Sequence, residues 1–164
     1  MDINVIPMEQ EGVLEHQTVL VEDGYILAIG PAGQIEVPRD ATVIPGAGYY
    51  LMPGLADMHL HLRDESYLEL LLANGVTSVR NMDGRPQHLS WRKEIARGER
   101  VGPRIFTTGP IQDQLPSHLP DDRSIETVDG ASRIVREQKA LGYDAIKVYD
   151  GLSPSAYTNL ANAC

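Results

Sequence analysis

The sequence predicts an α/β protein, with a small all-β segment over residues 1–52 followed by parallel βα units over residues 53–164. Three observations carry this. The first third shows β-branched runs broken by turn residues and no helical period. After Pro53-Gly54, apolar runs alternate with amphipathic stretches four times, the pattern of βαβ units. The 42% apolar and 23% charged content is that of a folded chain, and at 164 residues it can bury about 70% of its unfolded surface without disulfides or a structural metal.

In the first segment, Thr18-Val19-Leu20-Val21 and Tyr25-Ile26-Leu27-Ala28-Ile29 flank Glu22-Asp23-Gly24, and Asp-Gly supplies the positive φ angles of a primed hairpin turn. Gly30-Pro31-Ala32-Gly33 closes the second strand. Pro38-Arg39-Asp40 and Pro45-Gly46 bracket a further expected strand, Ala41-Thr42-Val43-Ile44.

Four βα units follow. Leu55 to Leu62 is a strand, and Glu65 to Asn74 is a helix ended by Gly75. Val76 to Asn81 is the next strand, and Pro86 to Arg97 the next helix, with proline suited to its first turn and Gly98 to its end. Ile105-Phe106-Thr107-Thr108 is the third strand. Val128, Ala131, Ile134, Val135, Gln138 and Leu141 share one face of a third helix stopped by Gly142. Ala145-Ile146-Lys147-Val148-Tyr149 is the fourth strand, and Ser153-Pro154 opens a helix still running at Cys164.

Charge and cysteine content narrow the function classes. Fourteen basic against twenty-three acidic residues give a net charge of −9, without the positive footprint that nucleic acid or anionic lipid requires. One cysteine, Cys164, excludes a disulfide framework within the chain. No apolar run approaches a membrane span and Met1-Asp2-Ile3-Asn4-Val5 lacks the features of a signal peptide, so the expected location is cytoplasmic.

Two features of the βα units carry chemistry. In Asp57-Met58-His59-Leu60-His61-Leu62-Arg63, alternation along a strand puts Asp57, His59 and His61 on one face. Imidazoles about 7 Å apart along a strand can converge on one divalent ion. The place of the pair, at the C-terminal end of a strand in an α/β unit, favours this over two solvated histidines. Lys147 lies among aliphatic residues on a strand expected to be covered, and an ammonium is rarely buried unpaired. Burial lowers a lysine pKa, and a neutral amine can take up carbon dioxide as a carbamate able to bridge metals. The alternative is a salt bridge to Asp83 or Asp150. Asn81, Asp83, Thr108, Gln112, Asp113, His118 and Tyr149 lie at strand ends and could line a pocket, although such residues are commonly just solvated. Gly109 to Ser124 reads as an active-site loop or an ordinary irregular connection, with His118 more suited to the surface than to a metal.

Together these residues resemble the amidohydrolase superfamily, metal-dependent hydrolases built on a (β/α)8 TIM-like barrel. The resemblance lies in Val19-Leu20-Val21-Glu22-Asp23-Gly24 with Ile29-Gly30, and above all in Leu51-Met52-Pro53-Gly54-Leu55-Ala56-Asp57-Met58-His59-Leu60-His61-Leu62. It continues in Asn74-Gly75-Val76-Thr77-Ser78-Val79-Arg80, Gly102-Pro103-Arg104-Ile105 and Asp144-Ala145-Ile146-Lys147-Val148-Tyr149. It implies that His59 and His61 bind the first of one or two divalent ions, usually zinc, and that carbamylated Lys147 bridges the pair. A lysine on the fourth strand looks most like the prolidase-type dipeptidases and their imidazolonepropionase-like relatives. Arg63 matches the His-x-His-x-Arg pattern of cyclic amidohydrolases, where the arginine grips a substrate carboxylate, and Tyr149 is a further substrate-binding candidate. The implied reaction is attack of a metal-activated hydroxide on an amide, dipeptide or cyclic amide.

The departures are equally specific. Family members take further metal ligands from histidines on the fifth and sixth strands and a catalytic aspartate from the eighth, and none of these is present. At about 28 residues per unit, eight units need about 224, close to the ~250 of the barrel. The chain therefore reads as the N-terminal half of the barrel, preceded by an incomplete β-sandwich segment and expected to be inactive alone. An open edge and an uncovered inner face suit homo-oligomerisation. The alternative function is a truncated, non-catalytic homologue acting as a binding or assembly module.

Overall fold

The computed structural model describes residues 2–9, 11–113 and 124–164 and forms two compact units, Met1–Pro53 and Gly54–Cys164. His118 lies outside the described residues.

The first unit is a four-stranded sheet of β1 (Ile3–Val5), β2 (Leu14–Glu22), β3 (Tyr25–Pro31) and β4 (Tyr50–Leu51), in the order β3-β2-β1-β4. β2 and β3 form the expected hairpin. Asp23 and Gly24 have φ of 50° and 80°, the two positive values of a type I′ turn whose twist matches the flanking strands. The strand expected over Ala41–Ile44 is absent. The Ala41 N–H instead closes a turn onto the Pro38 carbonyl at 3.1 Å, and Pro45 offers no donor to a ladder. On the side away from β2, β1 pairs with β4, parallel to it with Val5 opposite Leu51.

The second unit is a parallel sheet with one helix after each strand: β5 (Leu55–Leu60), α1 (Ser66–Ala73), β6 (Val76–Asn81), α2 (Pro86–Ala96), β7 (Arg104–Gln112), α3 (Val128–Leu141), β8 (Ala145–Val148) and α4 (Pro154–Ala163). The strand order β5-β6-β7-β8 is sequential, as in one half of a (β/α)8 barrel. Leu62, Leu68, Val79, Trp91 and Ile105 form one buried cluster, while Ile146 and Val148 pack against a second formed by Ile125, Ala131, Val135, Ala156 and Leu160. The opposite side of the sheet holds an open recess of about 280 Å³ lined by Met58, Ser78, Val79, Arg80, Arg104 and Phe106.

Two element boundaries differ from expectation. β7 runs through Gly109-Pro110 to Gln112, because its first half pairs with β6 and its second half with β8. Pro110 falls in the irregularity between Thr108 and Ile111, where a missing N–H is tolerated. β5 ends at Leu60, two residues early, because side chains take both backbone groups of Leu62. The face expected of α3 is also narrower: Val128 and Leu141 are exposed at its two ends. No helix among the described residues is long and apolar enough to cross a membrane.

Candidate metal centre

Register aligns the residues at the C-terminal edge of the parallel sheet. Leu60 is level with Asn81, and Asn81 with Thr107, while the next residue, Thr108, is level with Ala145. His61 therefore stands at about the height of Ala145, and Lys147 two residues nearer the C-terminal edge, where barrels of this kind carry their sites.

The imidazoles of His59 and His61 lie nearly parallel, their planes inclined by 15° and their centroids 5.7 Å apart. Two imidazoles bound to one tetrahedral ion through Zn–N bonds of about 2.0–2.1 Å have centroids roughly 5 Å apart. The separation is close to that of two ligands of one ion, while rings stacked in nearly parallel planes must turn about their side-chain bonds before a nitrogen of each points at a common ion. His59 is exposed and His61 half-buried, so both rings are within reach of an ion from solvent. Asp57 does not join them: β5 slips register against β6 between Asp57 and Leu60, which breaks the alternation expected to put Asp57 on the histidine face, and its Oδ1 accepts the His59 backbone N–H at 3.0 Å. Among the described residues no three His, Cys, Asp or Glu side chains gather as a metal site.

Lys147 is half-buried on β8, and the salt bridges considered for it are not formed. Asp83 pairs with Arg85 at 3.4 Å, and the Lys147 side chain makes no hydrogen bond or ion pair among the described residues. With Ile146 and Val148 facing the helices, alternation turns Lys147 to the helix-free side. β6 and β7 separate it from the histidine strand. Arg63 is exposed beyond the end of β5. Tyr149 is 53% exposed and extends the ladder by donating its N–H to the Gln112 carbonyl at 2.9 Å. Asp113 lies against Gly151, at the turn that follows β8.

Beneath the histidines lies a polar cluster whose second member, His88, was not among the residues singled out from the sequence. Asn81 and His88 are both 0% exposed. Oδ1 of Asn81 accepts the Leu62 N–H at 2.9 Å, and its amide nitrogen donates to His88 Nδ1 at 2.8 Å and Thr107 Oγ1 at 2.9 Å. His88 Nδ1 also faces the Arg85 N–H at 3.0 Å, which can only donate. This assigns the ring proton to Nε2, which donates to the Leu62 carbonyl at 2.8 Å. Burial, more than any other factor, holds the His88 pKa below its ordinary value; the nearby Arg85 charge adds to this and the bond to Leu62 opposes it. The signal in the sequence was helical: His88, Trp91 and Ile95 recur at the spacing of one α2 face, which here is the face turned to the core.

Comparison with known proteins agrees with the fold. The chain is 34% identical over 98 residues to an enamidase of Eubacterium barkeri, matching 51% of this chain and 25% of the enamidase. It is 36% identical over 150 residues to an imidazolonepropionase of Stenotrophomonas maltophilia (strain R551-3), matching 74% of this chain and 34% of that protein. Among solved structures, a bottromycin amidohydrolase superposes with a TM-score of 0.79 at 26% identity, covering 98% of this chain and 35% of its own. No family model matches the sequence. The chain belongs to the amidohydrolase superfamily, and its relatives are hydrolases acting on carbon–nitrogen bonds. It spans about a quarter to a third of the length of these two curated relatives.

Proposed function

We propose that these residues form part of the metal centre of a hydrolase that cleaves an amide, dipeptide or cyclic amide C–N bond. The observation that carries this reading is the His59–His61 pair at 5.7 Å, at the end of the first strand of a parallel sheet. His59 and His61 would hold a divalent ion, zinc by the chemistry of the donors. When bound, the ion supplies Lewis acidity toward a carbonyl oxygen and acidifies water.

The chain's own residues prepare this. The rings are presented with nitrogen donors accessible, and neutral imidazole is the ligating form. Lys147 supplies the third position after its unprotonated Nζ attacks carbon dioxide, forming the N–C bond of a carbamate and releasing a proton to solvent. Among the described residues its side chain has no carboxylate partner to compete for the amine, which supports this. Arg63, exposed just beyond the pair, would bind a carboxylate of the substrate, and Tyr149, also exposed, would contact the substrate as well. The test is hydrolysis by the polypeptide that carries these residues. A chelator and Lys147→Ala should each remove activity, and full activity in either case contradicts the mechanism.

A second reading, a binding or assembly module without catalysis, is favoured by one observation: no three-residue His, Cys, Asp or Glu site exists among the described residues. It predicts stable self-association with zinc bound below one ion per chain.

A further inference from the structure

Leaving the sheet, the chain at His61 loses its ladder bonds. The last backbone bond there is from the Met82 N–H to the Leu60 carbonyl at 2.7 Å. At Leu62, two side chains replace the ladder. Its N–H is taken by Asn81 and its carbonyl by His88, while its own side chain is 2% exposed within the core cluster of Leu68, Val79, Trp91 and Ile105. His61 thus sits between a laddered residue and one held at three points.

We infer that Asn81 and His88 are positioning residues for His61, fixing the backbone of Leu62 so that the two imidazoles stay close enough to share one ion. The inference rests on the metal reading given above, and it adds residues that touch neither ion nor substrate. The bonding direction is determined throughout. The Leu62 and Arg85 N–H groups can only donate, so Asn81 must present its oxygen to Leu62 and its amide to His88, and only Nε2 of His88 remains to donate to Leu62. Thr107 Oγ1, accepting from Asn81, donates onward to the Thr108 carbonyl at 2.9 Å and ties the network to β7. β6, α2 and β7 are thereby locked to the ligand segment. In metal sites, residues that orient the ligands without touching the metal commonly change affinity by about 10–100-fold when replaced.

The test combines zinc titration calorimetry with residue-resolved amide hydrogen exchange on the metal-free chain, for the parent, His88→Gln and Asn81→Asp. Zinc affinity is expected to fall at least about tenfold in both variants. Exchange should accelerate at His61, Leu62 and Arg63 while Val79 in β6 keeps the parent rate. An affinity within twofold of the parent overturns the inference, as does acceleration spread evenly over β5, β6 and β7, which marks a merely structural role. If neither variant folds, the parent decides: a Leu62 N–H as slow as that of Val79 supports the clamp, and one as fast as an exposed loop amide overturns it. A parent that binds no zinc defeats the metal reading, and the exchange pattern alone then decides whether the clamp exists.

Discussion

At the scale of single residues, the best-determined feature is the neutral His88, and it has a pH signature. Its pKa in the folded chain lies below the ordinary 6.5, so the unfolded chain binds its proton first as pH falls. The stability it contributes is complete above about pH 6.5 and is lost as pH drops toward the folded-state value. Urea midpoints measured from about pH 8 to about pH 5 should fall over this window, and His88→Gln should flatten that part of the curve. His16 has the opposite sign, raised by its hydrogen bond to Asp2, but both are on the surface and the histidine is fully exposed. Asn81→Ala leaves the Leu62 N–H without its acceptor and Thr107 Oγ1 without its donor, while His88 Nδ1 keeps the Arg85 N–H, and should destabilise the chain by about 2–3 kcal/mol, read by urea denaturation. His59 and His61 were legible because two-residue spacing needs only one short strand to bring them together. His88 was not, because its partners lie 7 and 26 residues away and only the packing of α2 on the sheet unites them.

At the scale of elements, local chemistry sets most boundaries. α3 begins where Thr127 Oγ1 accepts the Gly130 N–H at 3.1 Å and ends where Gly142, at φ 97°, turns the chain out of the helix. Thr127→Ala should cost about 1 kcal/mol in a thermal or urea melt. Such caps, like the Asp23-Gly24 turn, are carried by one or two residues and can be read directly. Strand ends are different. Gly109-Pro110 has the composition of a turn, yet β7 continues through it because β8 offers a second pairing partner. Ala41–Ile44 has the composition of a strand, yet no ladder forms on it, since the place beside β1 belongs to Tyr50–Leu51. Short β segments are decided by competition for partners, which no local pattern records. Leu68, 1% exposed and central to the first core cluster, shows the packing side: Leu68→Ala should cost roughly 2–5 kcal/mol.

At the scale of the whole molecule, the alternation of strand and helix was sufficient to point to a parallel sheet, while its sequential strand order followed only from the barrel resemblance, and the relatives place that sheet in the amidohydrolase superfamily. The helix-free side of the sheet carries Met58 and Phe106, 54% and 42% exposed, and β8 is an edge. Such a surface favours association. Sedimentation velocity should show weight-average mass rising with concentration, and Phe106→Ser should reduce that rise. The proposed third ligand was the least legible part of the site, because Lys147 would reach an ion only through a modification and from across two intervening strands.

The central claim is that His59 and His61 act as one ligand pair. Zinc titration calorimetry of the parent chain beside the His59→Ala/His61→Ala double variant tests it most directly. The pair predicts saturable zinc binding by the parent and its loss in the variant; equal binding by both would contradict it.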